Sequence, residues 1–150
     1  MKSRCLVFVL WLLAASGFAQ IKGHASGPFD IKMTPQTDTL VEGISRMFGD
    51  KVLHGDLEGT GKGQMLAFIS DVKGSAVYVA IERISGTLQG RKGTFVVHHT
   101  GLMKRGAQSL TITVAPDSGT GELKGITGSM TIKIEADGKH FYEFDYTIEP

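Results

Sequence analysis

The sequence predicts an all-β protein, a single antiparallel barrel of eight or nearly eight strands that closes on itself. Three observations lead there. The first is period two: Leu110, Ile112 and Val114 alternate with Thr111 and Thr113, and Met130, Ile132 and Ile134 alternate with Thr131, Lys133 and Glu135. Tyr142, Phe144, Tyr146 and Ile148 likewise share one face, opposite Glu143, Asp145 and Thr147. Successive side chains of a strand point to opposite faces, so each run reads as a half-buried strand. The second is regular punctuation, with turn signals at Phe48-Gly49-Asp50, Lys73-Gly74, Gly90 to Gly93, Arg105-Gly106, Asp117 to Gly121 and Asp137-Gly138. The third is the lack of helical periodicity: the one helix candidate, Leu40 to Met47, is interrupted by Gly43.

Eight or nine strands joined by short links form a meander, and a meander removes its exposed edges by closing into a barrel. A two-sheet sandwich is the competing arrangement. Glycines inside strand-like runs, at Gly55, Gly59, Gly86, Gly101, Gly125 and Gly128, mark the bulges and bends that barrel corners need, and favour the barrel.

Taken in order, residues 1–19 read as a secretory signal peptide. Lys2 and Arg4 precede an apolar run from Leu6 to Ala15, and Gly17-Phe18-Ala19 supplies the small residues of a cleavage site. The run is shorter than the roughly 20 residues that span a bilayer, and Cys5 lies on the wrong side of it for lipidation, so no membrane anchor is expected. The expected location is outside the cytoplasm, periplasmic or extracellular. Residues 20–28, with Gly23, Ser26, Gly27 and Pro28, read as a flexible leader, and 29–150 as the barrel domain.

Cleavage after Ala19 removes the only Cys and the only Trp. The mature chain then has no thiol to cross-link, and its core alone must hold it. Of 16 Lys and Arg, two leave with the signal while all 15 acidic residues stay, so the net charge becomes 14 − 15 = −1. A near-neutral chain with no basic run has no footprint for nucleic acid.

Several apparent motifs fail on geometry. Gly59-Thr60-Gly61-Lys62-Gly63 resembles a phosphate loop, but Asp56 and Gly63 stand where a Walker motif needs Gly and Ser or Thr, so glycine-rich turns are the better account. Ser70-Asp71-Val72-Lys73 has Ser-x-x-Lys spacing without the helix that would stack Ser over Lys. His98 and His99 are consecutive in a strand, point to opposite faces and cannot share one ion. No metal or cofactor is expected.

The stretch from Glu82 to Gly101 carries the site expectation. Two strand-like runs flank a turn read as Gln89 to Gly93, forming a hairpin with Glu82 on one arm and His99 on the other. Glu82 ends the run Ala76-Val77-Tyr78-Val79-Ala80-Ile81, apolar on both faces, so its carboxylate must be paired or hydrogen-bonded. Arg83 and Arg91 are the candidate partners for a purely structural salt bridge. If Leu88 lies opposite Gly93, Glu82 faces His99; a one-residue slip would give it His98 and Thr100 instead. His99 is chosen because Phe95, Val97 and His99 form the more apolar face. Glu82, His99 and Tyr78 are the ligand-binding candidates, and no catalytic residue is assigned. With Glu82 inside, Val77, Val79 and Ile81 face outward, which predicts a homo-oligomer or cover by the N-terminal segment.

Together with Gly55-Asp56-Leu57-Glu58-Gly59, the stretch Pro116 to Gly125 and the ending His140 to Ile148, this hairpin resembles domain-of-unknown-function family 3224 from about Phe29 to Ile148. The resemblance implies a barrel similar to allene oxide cyclases and, more distantly, to dirigent proteins. The expected function is binding of a small hydrophobic molecule in the barrel interior. The alternatives are an isomerase or cyclase using the interior carboxylate, and a filled barrel with a structural role.

Overall fold

The computed structural model describes residues 19–37 and 41–150. Eight strands follow one another: β1 (Ile21–Pro35), β2 (Ile44–Leu53), β3 (Leu57–Ile69), β4 (Ala76–Leu88), β5 (Arg91–Lys104), β6 (Ala107–Val114), β7 (Ile126–Ile134) and β8 (His140–Ile148). Each pairs antiparallel with the next, and β8 returns to β1 from Ile21↔Ile148 to Phe29↔His140, so the barrel is closed. Closure leaves no sheet edge for a stray strand to pair with.

The turn chemistry sets the register. Gln89 (φ 45°) and Gly90 (φ 86°) both adopt positive φ, giving a two-residue turn whose twist matches its strands. The expected turn from Gln89 to Gly93 is therefore too long: Leu88 pairs with Arg91, and Gly93 lies inside β5 opposite Gly86. Those two glycines serve close approach. A side chain at Gly86 would strike the Glu58 carbonyl, and one at Gly93 the Thr120 carbonyl.

Four other expectations change. Phe48-Gly49-Asp50 is the middle of β2, and Gly59 to Gly63 lies within β3, because these glycines remove side chains inside the barrel instead of bending the chain. The helix candidate becomes strand from Ile44 onward, while Leu40 lies outside the described residues. The leader expected at 20–28 belongs to β1 from Ile21. Gly23 there receives the ring of Tyr146 from inside the barrel, and Gly27 makes room for the His54 carbonyl and the Tyr142 hydroxyl, which is packing that a propensity reading takes for looseness. The signal-peptide reading falls outside the described residues except for Ala19.

The interior divides into two halves. Toward the end carrying the 54–56 and 89–90 links, Leu53, Leu57, Ile84, Leu88, Phe95 and Phe144 are fully buried, with Phe95 and Phe144 stacked at 5.5 Å. The 115–125 segment closes this end, with Leu123 wholly buried and Thr120 N–H donating to the Thr94 carbonyl. Tyr142 pins the 54–56 link: its hydroxyl accepts from Leu57 N–H at 2.9 Å and donates to the His54 carbonyl at 3.0 Å. Among the described residues the opposite half is open.

Candidate functional site

At the boundary between filled and open halves, three ionisable side chains converge. Lys51 on β2, Glu82 on β4 and His99 on β5 are 4%, 6% and 8% exposed. Lys51 Nζ donates to Glu82 Oε2 at 2.8 Å, and its ammonium lies 4.8 Å from the centre of the Phe29 ring. His99 Nε2 is 3.2 Å from the same oxygen, an electrostatic contact whose direction does not make an aligned hydrogen bond. Glu82 Oε1 and His99 Nε2 are both buried without a hydrogen-bond partner among the described residues.

The meeting of Lys51 and Glu82 needs explanation, because β3 lies between their strands. Neighbouring strands are about 4.8 Å apart, so their backbones are separated by about 10 Å. On β3 the two inward positions at the crossing are glycines: Gly61 opposite Lys51, and Gly63 opposite Glu82. Two long side chains reach each other over this bare backbone. A Cβ at Gly61 would overlap Glu82 Oε1, and one at Gly63 would come within 3.1 Å of Glu82 Cβ.

Burial pushes the Glu82 carboxyl up, but the contact with His99 and the Lys51 ammonium outweigh it and hold the group below its ordinary value. Glu82 is therefore a carboxylate, paired with an ammonium inside the barrel.

The sequence expectation for the hairpin holds in part. Glu82 and His99 share the inner face, but Glu82 pairs with Val97 and His99 with Ala80, so they are diagonal neighbours instead of directly opposite. The register differs from the expected one by two residues, which preserves the face. Neither Arg83 nor Arg91 is Glu82's partner: Arg83 Nη1 donates to Thr94 Oγ1 on the outer face, at 3.4 Å. Lys51 was missed. Its signal is its parity, since it shares a face with Met47 and Leu53 in an otherwise alternating run, but the Gly49-Asp50 turn reading hid that strand.

Above the triad lies a cavity of about 410 Å³, lined by Ile31, Met33, Met47, Met65, Ile132 and Ile134 among others, with Lys51, Glu82 and His99 in its wall. Tyr78 also faces it. Its ring lies against Gly101, directly opposite on β5, where any side chain would collide with it, and burial pushes its phenol up. His140 borders the cavity and packs on Phe29 at 5.1 Å. Among the described residues, no group of three or more His, Cys, Asp or Glu is placed to hold a metal ion.

The family model described as "Protein of unknown function (DUF3224)" matches residues 25–146. The chain belongs to DUF3224. A crystal structure of a DUF3224 protein with unknown function from Shewanella oneidensis MR-1 is 46% identical, with a TM-score of 0.79, covering 87% of this chain and 99% of that one. No curated protein matches. The segment matched to DUF3224 contains the triad, Tyr78 and both cradle glycines.

Proposed function

We propose that this DUF3224 barrel binds a small, mostly apolar molecule in its open half, with the ligand's polar group set against Lys51, Glu82 and His99. One observation carries the reading: an apolar cavity of about 410 Å³ ends on a buried ion pair. Its volume falls in the range of about 300–1,000 Å³ typical of small-molecule sites, which combine apolar walls with a few placed polar groups. The fold does not require the charges. The other half of the same barrel is packed with apolar side chains, and replacing a buried ion pair by such packing is often neutral or stabilising.

The charge balance narrows the ligand. Lys51 and Glu82 cancel, so the site suits a neutral hydrogen-bonding group, a hydroxyl or carbonyl, over a free carboxylate, which would lie against Glu82. Binding is also favoured over proton-transfer catalysis. A carboxylate held below its ordinary value is a weak base, whereas an effective general base is poised near the working pH. The wider kinship with allene oxide cyclase-like barrels, and export directed by residues 1–19, belong to this proposal. The first supports ligand binding only by shared architecture.

Native mass spectrometry of the protein purified from its own host tests the reading, by detecting a co-purifying neutral small molecule. A matched pair of probes, a medium-chain alcohol and the corresponding acid, tests the charge argument by calorimetry. The alcohol should bind and the acid should bind at least tenfold more weakly. Absence of both a co-purifying molecule and alcohol binding would defeat the proposal.

A further inference from the structure

The outside of the barrel is two-faced. On β1, the outward residues Lys22, His24, Ser26, Asp30, Lys32 and Thr34 are polar, with Pro28 the exception, as are Glu143, Asp145 and Thr147 on β8. That is the pattern expected of an antiparallel wall facing water. On β3, β4 and β5 the alternation fails toward the open end. Leu66, Phe68, Val77, Val79, Ile81 and Leu102 all point outward and are 40–64% exposed.

Register makes them one patch. Phe68, Val77 and Leu102 lie side by side in one row, Leu66 and Val79 in the next, and Ile81 in a third beside Gln64 and His98. Around Leu66, Val79 and Ile81 the surface forms a groove, whose polar lining includes Lys62, Arg83 and His98.

We infer that this wall is an interface between two copies of the chain. Six large apolar side chains, about half exposed, present on the order of 500 Å² of apolar surface per copy, near the upper limit of about 300–600 Å² for the largest patch on a typical monomer. A standard stable interface buries roughly 800 Å² per partner, so the polar margin must join the contact. The occupant must also match the shape. A closed barrel has no edge to extend, so a protein partner packs on the face of the wall, and a second copy related by a two-fold axis sets the same apolar rows against these. An apolar centre inside a polar margin is the anatomy of such interfaces. The described N-terminal residues do not cover this wall, because β1 is fixed between β2 and β8.

The consequence reaches the cavity. Glu82, His99 and Tyr78 project inward from the same strands whose outward residues form the wall, so association would bury β4 and β5 on both faces. The inference itself does not rest on ligand binding.

Sedimentation equilibrium of the chain from Gln20 onward, which contains every strand of the closed barrel, is the test. A dimer is expected at tens of micromolar. Val79→Asp and, independently, Ile81→Asp should convert it to monomer. Both positions face outward, so circular dichroism and the melting profile of the isolated barrel should remain those of folded β protein. A monomeric wild-type chain at 100 micromolar, or an assembly of any size that both variants leave intact, would overturn the inference.

Discussion

Glu82→Gln keeps the shape of the side chain and removes the charge that the Lys51 ammonium faces. Both groups are at least nine-tenths buried and 2.8 Å apart. Two unit charges at that distance attract by about 6 kcal/mol at an effective dielectric near 20. Most of that attraction offsets desolvation, but loss of one partner leaves the other charge buried and uncompensated, at a cost of about 3–5 kcal/mol. The Gln carbonyl still accepts a hydrogen bond from Lys51, which places the loss near the lower figure. For a barrel of this size a loss of about 3 kcal/mol lowers Tm by roughly 10 °C. Chemical denaturation at pH 7 measures it directly.

The pH dependence has a definite sign. Glu82 titrates lower folded than unfolded, so its stabilisation is fully present above its ordinary value of 4.5 and is lost as pH falls through the lower folded value. The gap between wild type and Glu82→Gln should be full at neutral pH and close in acid. The double variant Lys51→Met/Glu82→Met, apolar and of similar volume, should recover stability to within about 1 kcal/mol of wild type or exceed it, while losing the neutral ligand. A Glu82→Gln protein as stable as wild type at pH 7 would refute the buried pairing. A double variant that still retains ligand would separate the pair from binding.

Three further outcomes follow from the same geometry. Gly61→Ala places a Cβ where Glu82 Oε1 sits, so it should displace the carboxylate, lower Tm and weaken alcohol binding; unchanged melting would mean that the cradle is not filled as described. Tyr142→Phe strands the buried Leu57 N–H and should cost about 1–3 kcal/mol in denaturant titration. If export proceeds as proposed, intact mass of the extracytoplasmic protein should begin at Gln20, one residue before β1; a chain retaining Met1 there would contradict it.

The sequence by itself determined the fold class and the face on which each candidate lies, because both depend on local alternation. Leu110 to Val114 and Tyr142 to Ile148 state their parity within a few residues. Parity also survived an error in turn length, since Gln89-Gly90 replaced a longer turn by moving the register two residues, and two residues return a side chain to the same face. Glu82, His99 and Tyr78 were legible for that reason. Lys51 was not, and neither was the cavity. Lys51 and Glu82 are 31 residues apart and sit on strands that are not paired with each other; they meet only because Gly61 and Gly63 remove the side chains between them. In the sequence those glycines looked like turns, since a glycine's local preference gives no sign of what passes over it. The division of the barrel into a packed half and an open half was likewise decided by tertiary structure, through the 115–125 segment closing one end and nothing equivalent among the described residues closing the other. A strand pattern gives the side to which a residue points. How far the opposite wall stands, and what fills the space between, depends on closure of the whole sheet.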